Sequence, residues 1–96
     1  MYVDELNFEW DEDKERANVR KHGISFMIAA KVFADPDRLE FYDYRDYDED
    51  RFAVIGYAGK VLAVVYTMRG DVHRIISARF ATPEERRIYE NGNKEI

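Results

Sequence analysis

Hydrophobic and polar residues alternate in residues 6–10 and 38–43, and three later stretches are rich in apolar and β-branched residues; both patterns are typical of β-strands. The strands predicted from these patterns are residues 6–10, 38–43, 51–57, 61–68 and 72–80. The stretch from Val61 to Met68 is the most apolar of them, which predicts a central place in the sheet. Short turns that contain glycine, at residues 58–60 and 69–71, are expected to join the last three strands as hairpins.

Helix signals lie before and after these strands. Asp11 and Ser25 are good N-capping residues, and Gly23 is a natural left-handed stop for the first helix. Thr82-Pro83-Glu84-Glu85 combines a capping threonine, a proline at the first helical position and a glutamate at the third. The helices predicted from these signals span residues 11–22, 25–34 and 83–91.

The resulting order, β-α-α-β-β-β-β-α, predicts an α+β fold in which a largely antiparallel sheet packs on helices. Parallel pairing is expected only for the first strand, which enters the sheet through a two-helix connection. The length of 96 residues is that of a single domain, here residues 1–96 with a core at about 6–91.

Composition restricts the possible chemistry and the expected location. The chain has no cysteine, which excludes disulfides, thiolate metal sites and cysteine nucleophiles. Its N-terminus is acidic and lacks the basic region of a signal peptide. The longest apolar run, Val61 to Tyr66, is far shorter than the roughly 20 residues that span a bilayer. We therefore expect a cytoplasmic protein that does not bind membranes.

Charge is distributed unevenly between the two halves of the chain. The net charge is −5, but residues 1–50 hold 15 Asp and Glu against 7 Lys and Arg, whereas residues 51–96 hold 5 against 8. The second half is locally basic, and the local field matters more than the total charge for binding a phosphate group. The alternative is a soluble acidic protein whose arginines pair with its own carboxylates.

Two groups of residues are candidates for chemistry. Lys21 and His22 end the first predicted helix, and a histidine there can donate or accept a proton near neutral pH. The alternative for this pair is a helix-ending charge pair without chemistry. Arg51, Arg69 and Arg79 lie at strand ends and are expected to converge on one site.

The last predicted strand carries a second arginine, Arg74. Five residues separate it from Arg79, which puts the two on opposite faces of a regular strand unless a bulge intervenes. His73, Ser77 and Arg79 are expected to share one face, so Arg74 and Arg79 are not expected to bind one phosphate together. For each arginine the alternative is a surface salt bridge.

These residue types suit RNA cleavage without a metal ion. Two histidines and scattered acids show no metal-ligand spacing, so we predict no metal or cofactor. In RNA, the 2′-hydroxyl can attack its own neighbouring phosphate while a base takes the hydroxyl proton. Cations stabilise the phosphorane, and an acid protonates the leaving 5′-oxygen.

Short motifs follow one another along almost the whole chain. They are Phe8-Glu9-Trp10-Asp11, Lys14, Asn18, Lys21-His22-Gly23-Ile24-Ser25-Phe26, Ala29-Ala30, Val32-Phe33, Asp35-Pro36, Arg51-Phe52, Ile55-Gly56, Val64-Val65-Tyr66-Thr67, Arg69-Gly70, Arg74-Ile75-Ile76-Ser77-Ala78-Arg79, Ala81-Thr82, Glu85-Arg86 and Tyr89. Over about residues 7–90 this series resembles the BrnT toxin family. The Lys-His-Gly and Arg-Ile-Ile-Ser-Ala-Arg motifs are together quite specific.

The resemblance implies a type II toxin with a RelE-like ribonuclease fold, an endoribonuclease that cleaves RNA and inhibits translation and growth. A BrnA-like antitoxin would neutralise it, and DNA would be reached only through that antitoxin. The resemblance carries function to Lys21, His22, Arg51, Arg69 and Arg79, which we predict to be catalytic, and to Tyr66, which we predict to bind substrate. We add Arg74 and Tyr89 as further candidates for substrate binding.

A different function class is compatible with the same sequence. In that alternative the fold is kept and catalysis is weak or lost, and the protein is a binding module that sequesters antitoxin or acts as a co-repressor. Met27, Ile28 and Tyr89 are candidate apolar contacts with a partner, and burial in the core is the expected alternative for Ile28.

Overall fold

The computed structural model describes residues 7–45 and 48–92 of the chain. In order, the elements are β1 (Asn7–Trp10), α1 (Glu12–His22), α2 (Phe26–Ala30), a 3-10 helix (Lys31–Ala34), β2 (Leu39–Asp43), β3 (Arg51–Tyr57), β4 (Val61–Arg69), β5 (Val72–Phe80) and α3 (Pro83–Gly92). The predicted α+β class is confirmed. Leu6 of the first predicted strand lies outside the described residues.

The described strands form one mixed sheet with the order β1-β5-β4-β3-β2. β4 occupies the centre, as its apolar sequence predicted. The pairs among β2 to β5 are antiparallel, and β1 pairs in parallel with β5. Parallel pairing therefore involves the first strand, as expected. The two-helix connection carries the chain from β1 at one edge to β2 at the other.

Local capping determines where the helices begin and end. Asp11 accepts a hydrogen bond from the backbone N–H of Lys14, and Gly23 ends α1 with a φ of 74°. The second predicted helix is divided: five α-helical residues are followed by the 3-10 helix before Asp35-Pro36. Among the described residues, no helix is long and apolar enough to cross a bilayer.

The core lies between the helical connection and one face of the sheet, which we call the helix face. Phe26, Val32 and Phe33 pack from the helical side against strand residues such as Val64 and Ile75, all of them almost completely buried. Close packing of these aliphatic and aromatic side chains holds the two layers together.

A buried polar residue, Asn18, closes one edge of the sheet. β1 ends opposite Ile75, so β1 does not pair with the rest of β5. The Asn18 side chain takes the place of a strand there: Nδ2 donates to the Ala78 carbonyl at 2.9 Å, and Oδ1 accepts from the Ala78 N–H at 3.1 Å. Nδ2 also donates to the Ile24 carbonyl at 2.9 Å. One side chain thus satisfies three backbone groups.

The register between β4 and β5 shifts by one residue at their middle. Val65 pairs with Ser77, but Tyr66 pairs with Ile75, which leaves Ile76 as a β-bulge. The extra residue reverses the alternation, so Ile75 and Ala78 both face the core. Arg74, Ser77 and Arg79 consequently share the opposite face. The predicted grouping of Ser77 and Arg79 with His73 is wrong for this reason.

Candidate functional site

Arginines gather on the side of the sheet that faces away from α1 and α2. Strand pairing places Arg74 opposite Thr67, and Arg79 opposite Ala63, so both point to this side. Arg51 and Arg69 follow the same alternation on β3 and β4. We call this surface the arginine face, defined by Arg51, Arg69, Arg74 and Arg79. The bulge therefore puts on one face two arginines that regular alternation would put on opposite faces.

One row of side chains crosses the whole sheet on this face. Arg74 pairs with Glu9 on one side and with Thr67 on the other. Arg51 pairs with Asp43 and, because its neighbour Phe52 pairs with Tyr66, lies opposite Thr67. A carboxylate thus lies at each end of the row, and the order across the sheet is Glu9, Arg74, Thr67, Arg51 and Asp43.

Short side chains lie between this row and Arg79, and we call this part of the arginine face the depression. Ala53, Val65 and Ser77 form the next row, and their short side chains are only half-buried. On β4, the partner of Arg79 is Ala63 and the partner of Arg74 is Thr67. These partners are four residues apart, which corresponds to about 13 Å along the strand. α3 closes this end of the face, since Glu85 pairs with Arg79. The floor is therefore small and neutral, with cations on two sides.

Carboxylates orient three of the four arginines without covering them. Arg74 donates to Glu9 at 2.8 Å, and Arg51 Nε lies 3.9 Å from a Glu49 oxygen. Arg79 makes two parallel bonds to Glu85, of 2.7 and 3.0 Å, which raise the pKa of Arg79. These side chains remain about a quarter to two-fifths exposed. The salt bridges considered as the alternative are thus present.

The expected convergence of Arg51 and Arg69 with Arg79 is not observed. Arg51 begins β3 and Arg69 ends β4, so both lie near Arg74 at one end of the face. Arg79 lies toward the other end, because its partner is Ala63. β4 and β5 are antiparallel, so their C-terminal ends lie at opposite ends of the sheet. This separates Arg51 and Arg69 from Arg79.

Lys21 and His22 lie near the Arg79 end. They follow Asn18 by one helical turn, and the Asn18 side chain is bonded to Ala78, the residue before Arg79. Lys21 is exposed and His22 is half-buried. Neither side chain makes a hydrogen bond or ion pair to the described residues. Both are available to a ligand at this edge of the sheet.

The two predicted tyrosines are not brought together with the arginines. Tyr66 lies on the helix face and donates to Glu40 at 2.7 Å; burial and this bond raise its pKa. Tyr89 of α3 donates to Asp35 at 2.6 Å, and burial and the bond likewise raise its pKa. Both hydroxyls therefore have structural partners.

His73 also lies on the helix face, away from Arg79. Its ring packs against Phe8, Phe33 and Tyr66 at centroid distances of 5.4, 5.0 and 5.4 Å. Burial lowers the pKa of His73, and the nearby Glu40 carboxylate opposes that shift more weakly. His73 therefore packs against core residues and is neutral near pH 7.

Stability is expected to decrease as the pH falls below about 6.5, the usual pKa of histidine. The unfolded chain then binds a proton at His73 that the folded chain does not, so protonation favours unfolding until the lowered pKa is reached. Because the ring is only partly buried, we expect a loss of less than about 1 kcal/mol. The free energy of unfolding, measured in urea at several pH values, should lack this pH dependence in His73→Phe and keep it in His22→Gln. An unchanged pH dependence in His73→Phe would contradict the assignment of this effect to His73.

Sequence reasoning did not single out Glu9 or the depression. The alternation of β1 already predicted that Glu9 faces the side opposite to the apolar Phe8 and Trp10. It did not show which strand lies beside β1. The pairing with β5 supplies that information, because it places Glu9 next to Arg74.

The profile of the family described as ribonuclease toxin, BrnT, of type II toxin–antitoxin systems matches residues 10–85. The chain belongs to the BrnT family. The match covers α1, the whole of β2 to β5 and the start of α3, so it contains all four arginines of the arginine face. A type II family of this kind implies an RNA substrate and an antitoxin partner.

A solved structure agrees with this BrnT assignment. The crystal structure of the Brucella abortus ribonuclease toxin BrnT, at 1.1 Å resolution, superimposes with a TM-score of 0.62 at 26% sequence identity. The alignment covers 80% of this chain and 97% of the Brucella chain. No curated protein matches the chain significantly.

Proposed function

We propose that this BrnT-family protein is a metal-independent endoribonuclease that cleaves RNA on the arginine face, and that it thereby inhibits translation and growth in the cytoplasm. The observation that carries the proposal is the bulge at Ile76, which puts Arg74 and Arg79 on one accessible surface. The small floor between them leaves room for a phosphodiester. A RelE-like fold, as the sequence resemblance implied, suits this arrangement.

In the proposed reaction, the scissile phosphate lies over the depression between Arg74 and Arg79. Arginine side chains lean along their strands and can reach it from both ends. Their planar donor groups bind the non-bridging oxygens, and stabilise the extra negative charge of the phosphorane. Arg51 and Arg69 hold the neighbouring phosphates, while Lys21 or His22 moves a proton.

The antitoxin is proposed to be BrnA-like and to bind the helical side of the molecule. Val19, Met27 and Ile28 are 43, 46 and 38% exposed there. The expected burial of Ile28 in the core is therefore wrong. Exposed apolar side chains of this size suit a groove-binding partner helix. DNA would be reached only through that partner.

A second candidate is a catalytically weak binding module that sequesters antitoxin or acts as a co-repressor. One observation favours it: carboxylates already engage Arg51, Arg74 and Arg79. RNA would have to replace these carboxylates or share the arginines with them, and the net charge of −5 opposes its approach.

A cleavage assay with purified protein separates the two candidates. We expect single-stranded RNA to be cut in the presence of EDTA, with products that end in a 2′,3′-cyclic phosphate. DNA of the same sequence, which lacks the attacking 2′-hydroxyl, should remain intact. An equimolar amount of the neighbouring antitoxin should suppress cleavage. Cleavage that EDTA abolishes, or products without a cyclic phosphate, would contradict the mechanism. A stable antitoxin complex without cleavage would favour the binding module.

A further inference from the structure

We infer that Glu9 is the general base of the cleavage reaction. This inference rests on the proposed ribonuclease function, and it gives the proton transfer from the 2′-hydroxyl a specific acceptor. Lys21 and His22 had been the candidates for moving protons. Neither of them lies in the row that crosses the sheet, whereas Glu9 ends that row beside Arg74.

A base for this reaction must lie on the same surface as the cations that bind the phosphate. Among the described residues, the carboxylates that the strand register or an ion pair brings to the arginine face are Glu9, Asp43, Glu49 and Glu85. Glu49 precedes β3 and lies 3.9 Å from Arg51 Nε, which is too long for a hydrogen bond, so this contact does not fix its carboxylate beside the arginine. The other three differ in how much of each carboxylate other groups occupy. That difference decides which can accept a further proton.

Asp43 and Glu85 are occupied on both oxygens. The Arg45 guanidinium binds Asp43 through Nε and Nη2, at 3.0 and 2.7 Å, and the Asp43 side chain is only 14% exposed. Arg79 binds both oxygens of Glu85, and the backbone N–H of Thr82 also donates to Glu85. These bonds hold the pKa of Glu85 below its usual value.

Glu9 keeps an oxygen for a substrate. Its Oε2 accepts a single bond from Arg74 Nη1 at 2.8 Å, and the side chain is 38% exposed. Within the described part of the chain, Oε1 makes no hydrogen bond. Because β1 is the edge strand of the described sheet and the side chain is partly exposed, Glu9 lies at the border of the arginine face.

Arg74 couples this base to the phosphate. A guanidinium has five N–H donors, and Glu9 uses one of them. The remaining donors of Arg74 can bind a non-bridging oxygen of the scissile phosphate. A ribose attached to that phosphate then brings its 2′-hydroxyl to the neighbouring carboxylate. One arginine thus fixes the distance between the base and the reacting phosphorus.

The reaction is balanced with the groups named. Glu9 Oε1 takes the proton of the 2′-hydroxyl while the 2′-oxygen forms its bond to phosphorus. The bond from phosphorus to the 5′-oxygen breaks, and that oxygen leaves with a proton from the acid, for which His22 or Lys21 is the candidate. The products are a 2′,3′-cyclic phosphate and a 5′-hydroxyl, without any oxidation or reduction. Glu9 returns its proton to water.

Glu9→Gln tests the inference, because glutamine keeps the shape and can still accept a bond from Arg74. We expect kcat to fall about 100-fold or more, as for the loss of a general base, with little change in KM for RNA. The acidic limb of the pH profile of kcat should disappear. Glu12→Gln, an exposed position three residues away, makes the same change in charge and should leave kcat unchanged.

A role in positioning Arg74 alone would give a different result. KM would then rise, and the remaining kcat would keep its acidic limb. A substrate with an activated aryl leaving group adds a second distinction: it should restore His22→Gln if His22 is the acid, but not Glu9→Gln. A Glu9→Gln enzyme with wild-type kcat, or with an unchanged pH profile, would overturn the inference while the ribonuclease function stands. Absence of cleavage by the wild type would overturn the proposed function instead.

Discussion

Arg79→Ala is expected to reduce the rate of RNA cleavage by roughly 100- to 1000-fold, the usual effect of removing one oriented charge from a transition state. The reason is that Arg79 supplies the cation at one end of the depression. Arg79→Lys should restore only part of the rate, because an ammonium group does not reproduce the planar fork of a guanidinium on phosphate. Initial rates on a short RNA, measured at saturating substrate, provide the test.

Arg79 also has a structural partner, so its replacement needs a matched control. The pair with Glu85 joins β5 to the N-terminal turn of α3, and its loss is expected to cost about 1 kcal/mol for a partly exposed pair. Glu85→Gln should cost a similar amount but keep Arg79 and therefore keep cleavage. Equal inactivity of Glu85→Gln and Arg79→Ala would show that the ion pair, and not the cation, is required.

Asn18→Ala is expected to lower the free energy of unfolding by about 2–4 kcal/mol. It removes three hydrogen bonds at once, and leaves the N–H and carbonyl of Ala78 and the carbonyl of Ile24 without their partner in a buried region. Urea unfolding, followed by circular dichroism, measures the change. The effect should appear as a lower midpoint with a similar slope.

Two comparisons make the Asn18 prediction specific. Asn18→Asp keeps an acceptor for the Ala78 N–H but loses both donated bonds and buries a charge, so it should be at least as destabilising. Arg20→Ala changes an exposed residue of the same helix and should cost less than about 0.5 kcal/mol. An Asn18→Ala protein as stable as Arg20→Ala would contradict the role of Asn18 at the sheet edge.

Features that depend on neighbouring residues could be predicted from the sequence. Asp11 caps α1, and Gly23 ends it, as expected. Glu85 and Thr82 exchange bonds at the start of α3, as their spacing predicted. The strands at residues 51–57 and 72–80 also have the predicted bounds. In each case the physical cause lies within a few residues.

Features that depend on distant pairing could not be predicted. Glu9 and Arg74 are 65 residues apart, and Asn18 and Ala78 are 60 apart. Neither composition nor periodicity shows which strands will be neighbours. The bulge at Ile76 is also invisible to a period of two, because Ile fits either face. The sequence therefore indicated the arginines as candidates but not their arrangement.

The bulge also means that the facing of the end of β5 depends on how this strand pairs with β4. If all nine residues of β5 alternated regularly, without a bulge, Arg79 would turn toward the apolar core while Ala78 turned outward. Deletion of Ile76 would remove the bulge and keep Arg79 on the arginine face, whereas a shift of the pairing by one residue would reverse its facing. Such a shift would disarm the protein while leaving its charge and every arginine of the family pattern unchanged. Two relatives with the same arginines are equivalent only if their strands also present them on the same face.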